Sequence, residues 1–565
     1  MLLDGFWDFA FIDERENLND SEPIIFSDRL PVPGCFDTEP GYRLRRGIGI
    51  YRTFVSLTGE LTLTLEGIGP RGKVYWDGQL IGKCELPFSE EKLHFNAGPT
   101  PKHELRILID NRADDSPESL FPGFYDFYRH GGIYRSVSIC ETPFFDIAHV
   151  KVLPQCLEKG TVEITVELSG DFPAESGIQF CFDNGEHPLS KKIINGRGSW
   201  LLPIPNCRLW SPEHPNLHGL KVSVSGMEKQ VTFGMRTIEA RSGQLYLNGA
   251  PLKLVGYNRH DCHPDFGYAM PEALVRRDLE MIRKQGCNFI RGCHYPQSET
   301  VLNWCDRLGL LVWEESLGWG NDEKYLNNAD FCRKQQEQTR RMVRKSINHP
   351  CVILHGFMNE LKSDIEPAKK LIHTLTEILH SEDSSRLVTY ACNIPFEDIA
   401  LSEIDVVSFN IYPGWYINSQ MSDVQDFDQE GFENALKEYE KRLNRADLLD
   451  KPYLISEIGS AALPGLHGDV RWSEEYQANL AVAVLRHVLT TPRCSGVALW
   501  MFCDTRSFND YRAPSRPRGF NNKGVLDEYR RPKMAWNAIS RCLDGNLNDK
   551  HQADNYPLNF ISDKK

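Results

Sequence analysis

The feature that most constrains the fold of this chain is a change of hydrophobic period near residue 252. Beyond it, short apolar segments alternate with stretches of helical period, which is typical of a parallel sheet whose strands are joined by helices. Eight strands are predicted there, at residues 252–258, 288–294, 310–316, 351–360, 387–391, 406–412, 453–459 and 496–502. Eight strand–helix units in about 300 residues predict a (β/α)8 TIM barrel. We place the barrel at residues 239–545 and a polar tail at 546–565.

Residues 1–238 contain no segment of helical period and predict two β-sandwich domains. Residues 1–143 alternate between apolar and polar positions, and Asp77-Gly78 is a strong hairpin dipeptide, so we expect a jelly-roll β-sandwich. Residues 144–238 repeat the pattern on a smaller scale, which favours an immunoglobulin-like β-sandwich. The predicted fold class is therefore multidomain, β followed by α/β: a jelly roll, an immunoglobulin-like sandwich and a C-terminal TIM barrel.

Charge and cysteine content narrow the classes of partner. The 565-residue chain has a net charge of −14, which argues against nucleic acid and against an anionic membrane surface as partners. Its 16 cysteines form no Cys-x-x-Cys pair, so neither a zinc site nor a disulfide framework is indicated. The first residues lack the basic and small-residue parts of a signal peptide, and no apolar run reaches about 18 residues. We therefore expect a cytoplasmic protein.

Two carboxylates at the ends of predicted barrel strands are the main candidates for chemistry. Glu360 ends the fourth strand and Glu457 lies in the seventh, and barrel enzymes keep catalytic groups at that rim. Taken alone, each could be a structural carboxylate, buried or paired with a neighbouring arginine. Together they fit glycoside cleavage, in which one carboxyl protonates the leaving oxygen and the other attacks the anomeric carbon. A separation of about 5–5.5 Å would give retention of configuration.

Several motifs together resemble those of one enzyme family. They are Asn348-His-Pro followed by Asn359-Glu360, Gly256-Tyr-Asn-Arg-His260, Arg291-Gly-Cys-His-Tyr-Pro296 and Ser456-Glu457. The set is similar to family 2 of the glycoside hydrolases, whose members combine a jelly roll, an immunoglobulin-like sandwich and a barrel, so the resemblance covers nearly the whole chain. It implies that Glu360 is the acid/base, Glu457 the nucleophile and Asn359 the ligand of the substrate 2-hydroxyl.

A loop beyond the eighth strand bears on the substrate. Asn521 and Lys523 resemble the Asn-x-Lys signature by which uronidases of the family hold a sugar carboxylate, and a fixed cation beside an amide donor is what that choice requires. Alternatively, Lys523 is a solvated loop residue. The family's arginine for the 4-hydroxyl would fall on Pro517, with Arg516 and Arg518 on either side, so glucuronate and its C4 epimer galacturonate both stay open.

Further substrate-binding residues are implied by the resemblance. Asn410-Ile-Tyr-Pro-Gly-Trp-Tyr416 is similar to a family segment in which Tyr412 would bond the nucleophile and Tyr416 would face the sugar. Asp126 would reach from the jelly roll to the 4-hydroxyl. The remaining implied pocket residues are His260, His294 and Trp500. The tyrosines could instead be rim packing, and Asp126 could be a surface-loop residue.

Departures from the family pattern also stand out. Ile411 and Pro413 replace an arginine and a tyrosine, and His355-Gly356 stands where Trp-Ser is common. His260, His263 and His294 invite a metal interpretation, but no zinc-like ligand spacing accompanies them.

These observations predict a retaining exo-β-D-hexuronidase without metal or cofactor. Its substrate would be a small-molecule or oligosaccharide β-glucuronide, with β-galacturonides or a dual specificity as the alternative. A β-galactosidase and a non-catalytic sugar-binding protein are further candidates. The resemblance also implies a homo-oligomer.

Overall fold

The structure is a computed structural model and describes residues 1–13, 24–183, 185, 188–416, 427–468, 470–507 and 516–544. The predicted polar tail at 546–565 lies outside the described residues. The chain forms two antiparallel β-sandwiches followed by a parallel barrel, as the sequence predicts. In the part of the chain that the structure describes, no helix has the length and apolar character needed to cross a bilayer.

The N-terminal domain is an antiparallel sandwich of jelly-roll type. Its strands are β1 (Gly5–Asp13), β2 (Asp28–Val32), β3 (Gly34–Cys35), β4 (Gly47–Val55), β5 (Glu60–Leu65), β6 (Ile68–Gly69), β7 (Arg71–Trp76), β8 (Gln79–Cys84), β9 (Glu91–Asn96), β10 (His103–Asp110), β11 (Gly132–Ile133) and β12 (Val137–Glu141). The main sheets have the orders β2-β1-β4-β10-β7-β8 and β12-β5-β9. Alternate residues of β10 are buried, which is the pattern of a strand with one face on the core.

The second domain is a smaller antiparallel sandwich. Its strands are β13 (Phe145–Cys156), β14 (Thr161–Gly170), β15 (Glu175–Phe182), β16 (Leu189–Ile194), β17 (Arg197–Pro203), β18 (His218–Val224) and β19 (Met227–Phe233). Lys229 on β19 donates from Nζ to the carbonyls of Ile147 and Ala148 on β13, so the first and last strands meet. A three-stranded sheet leads to the barrel, formed by β20 (Ile238–Arg241), β21 (Gln244–Leu247) and β22 (Ala250–Leu252).

The barrel strands are fully parallel and almost completely buried. They are β23 (Leu254–Asn258), β24 (Phe289–Gly292), β25 (Leu311–Trp319), β26 (Val352–Asn359), β27 (Leu387–Thr389), β28 (Ala391–Cys392), β29 (Val407–Asn410), β30 (Tyr453–Ile458) and β31 (Cys494–Leu499). β27 pairs with β26 and β28 pairs with β29, so these two halves of the fifth strand close the ring. The third strand runs to Trp319, beyond its predicted end, because it pairs with β26 as far as Asn359.

The helices surround the barrel. They are α1 (Glu272–Lys284), α2 (Glu299–Leu308), α3 (Glu323–Leu326), α4 (Ala329–Ser346), α5 (Glu366–Glu382), α6 (Gln429–Arg442), α7 (Glu474–Thr490) and α8 (Met534–Leu543). The last short strands are β32 (Thr505–Arg506) and β33 (Phe520–Asn521), which pair with each other beyond the eighth barrel strand.

The Asn-His-Pro motif ties the barrel to the second sandwich. The side chain of Asn348 accepts from the backbone of Val152 and donates to the carbonyl of Val150, at 2.9 and 2.8 Å. His349 bonds through Nδ1 to Asp306 at 2.6 Å. The motif therefore positions the two domains and the start of β26, at the opposite end of that strand from Glu360.

Candidate active site

Glu457, on β30, is held by two donors. Its Oε1 accepts from Nη1 of Arg291 at 2.8 Å, and its Oε2 accepts from the hydroxyl of Tyr412 at 2.7 Å. Burial raises the pKa of Glu457, and Arg291 and Tyr412 lower it. The carboxylate is thus fixed in orientation, with the cost of its burial opposed by one cation and one hydroxyl.

Arg291, at the end of β24, connects the buried polar groups beneath the barrel mouth. It is completely buried and also pairs with Glu315, with two nitrogens donating to that carboxylate at 3.0–3.1 Å. Its Nη2 donates to Oδ1 of Asn359 at 2.8 Å. Burial raises the pKa of Glu315 to about 7, while Arg291 lowers it. The charged guanidinium thus donates to the side chains of Glu457, Glu315 and Asn359 together and fixes their relative positions.

Glu360 and Asn359 are joined by one amide. Asn410 donates from Nδ2 to Oδ1 of Asn359 at 3.0 Å and to Oε1 of Glu360 at 2.8 Å. Glu360 has a left-handed φ of 53°, and its N–H donates to the carbonyl of Ala391 on the neighbouring strand at 2.8 Å. Such a backbone costs about 1–3 kcal/mol for a non-glycine residue and is typical of functional sites. Nδ2 of Asn359 is buried and has no hydrogen-bond partner among the described residues.

His294 lies between Glu315 and Glu457. Its Nδ1 lies 2.7 Å from Oε1 of Glu315, and its Nε2 lies 3.8 Å from Oε1 of Glu457. The ring stacks on Trp500, with centroids 5.4 Å apart and planes at 14°. Burial and Arg291 lower the pKa of His294 well below its ordinary value, so the ring is neutral at pH 7. Nδ1 also lies 3.2 Å from Nη2 of Arg291, and in the tautomer that donates from Nδ1 to Glu315 the Nε2 atom is an acceptor.

Two of the histidines that suggested a metal site belong to a cluster that suits a metal ion poorly. His260, Cys293 and His294 bring potential ligand atoms within 4.8 Å of one another. Burial raises the pKa of the Cys293 thiol well above its ordinary value, which disfavours the thiolate that a metal would need. His294 already uses Nδ1 on Glu315. The absence of a metal cofactor stays a prediction.

Lys523 is a buried cation surrounded by aromatic rings. It is 1% exposed, and its Nζ donates to the hydroxyl of Tyr416 at 2.9 Å. The Nζ also lies 4.9–5.7 Å from the ring centroids of Tyr412, Trp415 and Tyr416. This burial excludes a solvated loop lysine, because the ammonium is held in place within the site.

Asp126 reaches the barrel mouth from the jelly roll. It accepts from Arg516 at 2.5 Å, from Oγ of Ser507 at 2.7 Å and from Nδ2 of Asn521 at 3.4 Å. A β-bridge between Phe127 and Ser507 holds the loop there. The interpretation of Asp126 as a surface-loop residue is therefore wrong, since its side chain belongs to the same network as Asn521.

The two arginines of the loop point in different directions. Arg516 is 4% exposed and lies at the site on Asp126, and its side chain also bonds Tyr416. Arg518 donates to Glu528 at 2.8 Å and to Asn522 at 3.0 Å, and its side chain is 43% exposed. Its left-handed φ of 63° accompanies this turn away from the mouth. Arg516 is therefore the arginine of the two that lies at the barrel mouth.

A cavity of about 730 Å³ opens between these groups. Seven of the predicted site residues line it, namely Asp126, Glu360, Tyr412, Tyr416, Glu457, Trp500 and Asn521. The remaining four each contact a lining residue: Asn359 through Asn410, His260 and His294 through Trp500, and Lys523 through Tyr416. The structure thus brings the predicted residues together at one barrel mouth, with Asp126 contributed by the jelly roll.

Comparisons with known proteins identify the family of the chain. The sequence model of the TIM barrel domain of the glycosyl hydrolases family 2 matches residues 238–543, and a second model of glycosyl hydrolases family 2 matches residues 146–236. The chain belongs to glycosyl hydrolase family 2. It is a glycoside hydrolase.

Individual relatives extend over nearly the whole chain. The β-glucuronidase of Mus musculus is 30% identical over 603 residues, covering 94% of this chain and 89% of that protein. A solved β-galacturonidase from Eisenbergiella tayi bound to galacturonate is 30% identical, with a TM-score of 0.86 and coverage of 96% of this chain and 97% of that one. A β-glucuronidase of Faecalibacterium prausnitzii is 26% identical, with a TM-score of 0.85 and the same coverages.

One departure of this hydrolase from its family has a structural reason. A Cβ on Gly356 would lie 2.1 Å from Nε1 of Trp313, so a serine there would collide with the indole. The Trp313 ring in turn lies under Arg291, whose guanidinium carbon is 4.6 Å from the ring centroid. Gly356 therefore makes room for the ring that supports the central arginine.

Sequence reasoning missed part of the cavity wall. Arg291 and Asn410 begin two of the family-like motifs but had no assigned role, and both contact the carboxylates. The unassigned lining residues include Trp319, Asn393, Phe396, Tyr439 and Arg442. Asn393 follows the fifth barrel strand, so the rule of strand ends could have found it. Trp319 ends the third strand, which extends beyond its predicted end at residue 316. Phe396, Tyr439 and Arg442 lie farther along, in a loop and a helix, where the sequence carries no such signal.

Proposed function

We propose that this hydrolase is a retaining exo-β-D-hexuronidase, which converts β-D-glucuronides to D-glucuronate and an alcohol through a covalent glycosyl-enzyme intermediate. The observation that carries the proposal is the buried ammonium of Lys523 next to Tyr416, in the same pocket as two carboxylates. A fixed ammonium forms a strong, charge-assisted hydrogen bond with an anion that binds beside it. The uronate carboxylate is that anion, with Asn521 as a second donor.

The first chemical step uses both glutamates. The carboxylate of Glu457 attacks the anomeric carbon and forms a glycosyl ester, while the bond from that carbon to the leaving oxygen breaks. Glu360 gives its proton to this oxygen, which leaves as an alcohol. Arg291 and Tyr412 keep Glu457 ionised and aimed, because both donate to its charged form.

The second step regenerates the enzyme. Glu360, now a carboxylate, removes a proton from water, whose oxygen attacks the anomeric carbon and releases Glu457. Loss of the negative charge on Glu457 during the ester stage favours this change of role in Glu360. Asn359 would bond the 2-hydroxyl, since its Nδ2 lacks a partner in the described chain.

The ion pair of Asp126 and Arg516 supports exo action. Asp126 and Arg516 form a buried ion pair across the mouth, with the jelly-roll loop bridged to Ser507 behind it. A single terminal sugar fits in front of such a wall, whereas a chain passing through would meet it. His294 and Trp500 would line the sugar face opposite Tyr416.

The proposal has a direct test. The protein is assayed on 4-nitrophenyl β-D-glucuronide, the matching β-D-galacturonide and the matching β-D-galactoside, with the anomer of the released sugar followed by NMR. Turnover of a uronide with β-anomer formed first supports the proposal. Activity only on the galactoside, or release of the α-anomer, would overturn it. Glu457→Gln serves as the folded, inactive reference.

A β-galacturonidase or a dual enzyme is the second candidate. The favouring observation is Arg516, whose position on Asp126 differs in sequence spacing from the usual arginine of the family. The Eisenbergiella relative bound to galacturonate is as similar in identity as the mouse glucuronidase. The rates on the two uronides decide between them.

A neutral-sugar β-galactosidase and a sugar-binding protein are weaker candidates. A galactosidase would make no use of the ammonium of Lys523, because its sugar has no carboxylate. A sugar-binding protein without activity would have no use for both carboxylates. The cytoplasmic location and the homo-oligomeric state stay predictions.

A further inference from the structure

The cavity at the active site continues well beyond the sugar-binding residues. Its lining extends past Glu360 to Asn393 after the fifth barrel strand and then to Phe396, Tyr439 and Arg442. The last two belong to α6, which flanks the sixth strand. This arm belongs to the same continuous space of about 730 Å³ that Asp126 and the two glutamates line.

The position of Glu360 identifies what this arm holds. A general acid protonates the leaving oxygen, so the space on its far side from the sugar belongs to the leaving group. The N–H of Glu360 donates to Ala391, two residues before Asn393, which places the arm directly beside the acid. If the chain is a hexuronidase as proposed above, the arm is its leaving-group subsite.

Arg442 is the distinctive group of the arm. Its guanidinium carbon lies 3.5 Å from the ring centroid of Phe396, and that ring packs on Tyr439 with centroids 5.1 Å apart. Within the described chain no carboxylate lies in ion-pair distance of Arg442, although the protein as a whole is acidic, with a net charge of −14. Glu438, an acidic residue of the same wall, pairs instead with Lys441 at 3.8 Å. The exposed guanidinium therefore stacks on one ring of the wall and is open to an anion.

We propose that Phe396, Tyr439 and Arg442 form a subsite for leaving groups that carry an anion, a carboxylate or a sulfate. Arg442 would pair with that anion, and the edges of the two rings would contact the apolar face of a sugar or of an aromatic aglycone. The proposal rests on the hexuronidase function and adds to it the class of leaving group.

The experiment compares two substrate pairs that share the hexuronosyl group. The first pair has 4-carboxyphenyl and 4-carbamoylphenyl leaving groups, and the second has a hexuronic acid and the corresponding hexose in the leaving position. The measured quantity is the ratio of kcat/KM for the anionic over the neutral member. The variants are Arg442→Gln and, as control, Arg445→Gln. Arg445 lies just beyond the same helix, pairs with Asp447 at 2.8 Å and is not part of the cavity wall.

The expected result is a ratio about 3- to 10-fold lower in Arg442→Gln than in the wild type, which is the range of a partly exposed ion pair. Arg445→Gln should leave the ratio unchanged although it alters the net charge equally. Added salt should lower the ratio of the wild type but not that of Arg442→Gln. If Arg442→Gln lowers the ratio only in the second pair, the subsite binds the anion of a sugar. If it lowers the ratio only in the first pair, the subsite binds the anion of an aryl group.

Two different failures can be told apart. If the wild type cleaves 4-nitrophenyl hexuronides but Arg442→Gln keeps the wild-type ratio in both pairs, the subsite is overturned and the hexuronidase function stands. If the wild type cleaves no hexuronide, both are overturned.

Discussion

The hydroxyl of Tyr412 donates a hydrogen bond of 2.7 Å to Oε2 of Glu457. The bond favours the charged carboxylate, so it opposes the rise in the pKa of Glu457 that burial causes. In the proposed mechanism Glu457 is the nucleophile and must be ionised, so this hydroxyl would connect the geometry of the site with the pH at which the enzyme works.

Tyr412→Phe should therefore shift the acid limb of the pH–rate profile. Loss of the donor raises the pKa of Glu457, so kcat/KM should begin to fall at a higher pH than in the wild type, and it should be about 10- to 100-fold lower at its maximum. The profile on 4-nitrophenyl hexuronide measures both effects. Tyr325→Phe, on α3 and outside the cavity, is the control. An acid limb that stays in place or moves to lower pH would contradict the role of Tyr412.

Glu360→Gln should lower the rate of cleavage more for substrates whose leaving group is more basic. An acidic phenol leaves without protonation, whereas an alkyl alcohol or a sugar needs the proton of Glu360. We expect a loss of about 10- to 100-fold for 4-nitrophenyl substrates and at least about 1,000-fold for alkyl substrates. Equal losses for both classes would argue that Glu360 is not the acid.

Lys523→Met should remove uronide turnover selectively. The substitution deletes the buried ammonium that we assign to the sugar carboxylate, and we expect kcat/KM on uronides to fall about 100-fold or more. Activity on the neutral galactoside should change by a much smaller factor. Arg518→Met is the matched control, because it lies in the same loop but pairs with Glu528 away from the mouth. A uniform loss on charged and neutral sugars would instead indicate a structural role for Lys523.

Arg516→Lys should change the preference between C4 epimers. The planar guanidinium of Arg516 contacts Asp126 through two nitrogens, and a lysine can reproduce the charge but not that geometry. We expect the ratio of kcat/KM for the glucuronide over the galacturonide to change about 10-fold, while the uronide over galactoside preference is kept. An unchanged epimer ratio would remove Arg516 from recognition at C4.

The ion pair of His349 should make stability depend on pH. Although burial lowers the pKa of His349, Asp306 and Glu299 raise it to about 10. Because the folded pKa lies above the unfolded value of about 6.5, the stabilisation is fully present below pH 6.5 and is lost as pH rises toward 10.

Melting temperatures of the wild type and His349→Gln at about pH 6 and about pH 9.5 test this. The variant should melt at a lower temperature than the wild type at the acidic pH, because it leaves a buried carboxylate without its ion-pair partner at a cost of about 3–5 kcal/mol. The difference between the two melting temperatures should narrow at the alkaline pH. His373→Gln is the control, because its exposed pair with Glu403 contributes little. A gap that is constant with pH would show that His349 acts by packing alone.

Much of the fold and of the reaction could be predicted from the sequence. Hydrophobic period distinguishes the alternating strands of the sandwiches from the continuous apolar strands of the barrel, because the number of buried faces differs. Parallel strands of one barrel share a rim, so Glu360 and Glu457 had to lie at the same mouth once their strands were identified. The resemblance of short motifs then pointed to the family, which the comparisons confirm.

Further parts of the site were decided only by tertiary structure. The sequence does not show that Arg516 turns toward Asp126 while Arg518 turns away, since this depends on a left-handed φ at Arg518 and on carboxylates elsewhere in the fold. The cation at Arg442 was equally invisible. Its place beside Phe396 depends on how α6 packs on the loop after the fifth strand.

One physical reason separates the features that the sequence determined from those that the tertiary structure decided. Period and strand order are properties of neighbouring residues, so the sequence by itself determined the barrel, its rim and the two carboxylates on it. The partner of a long side chain is chosen among groups far apart along the chain, by packing and charge in three dimensions. Only the folded chain therefore decided how Arg291, Asn410 and Tyr412 hold those carboxylates and which cations lie at the barrel mouth.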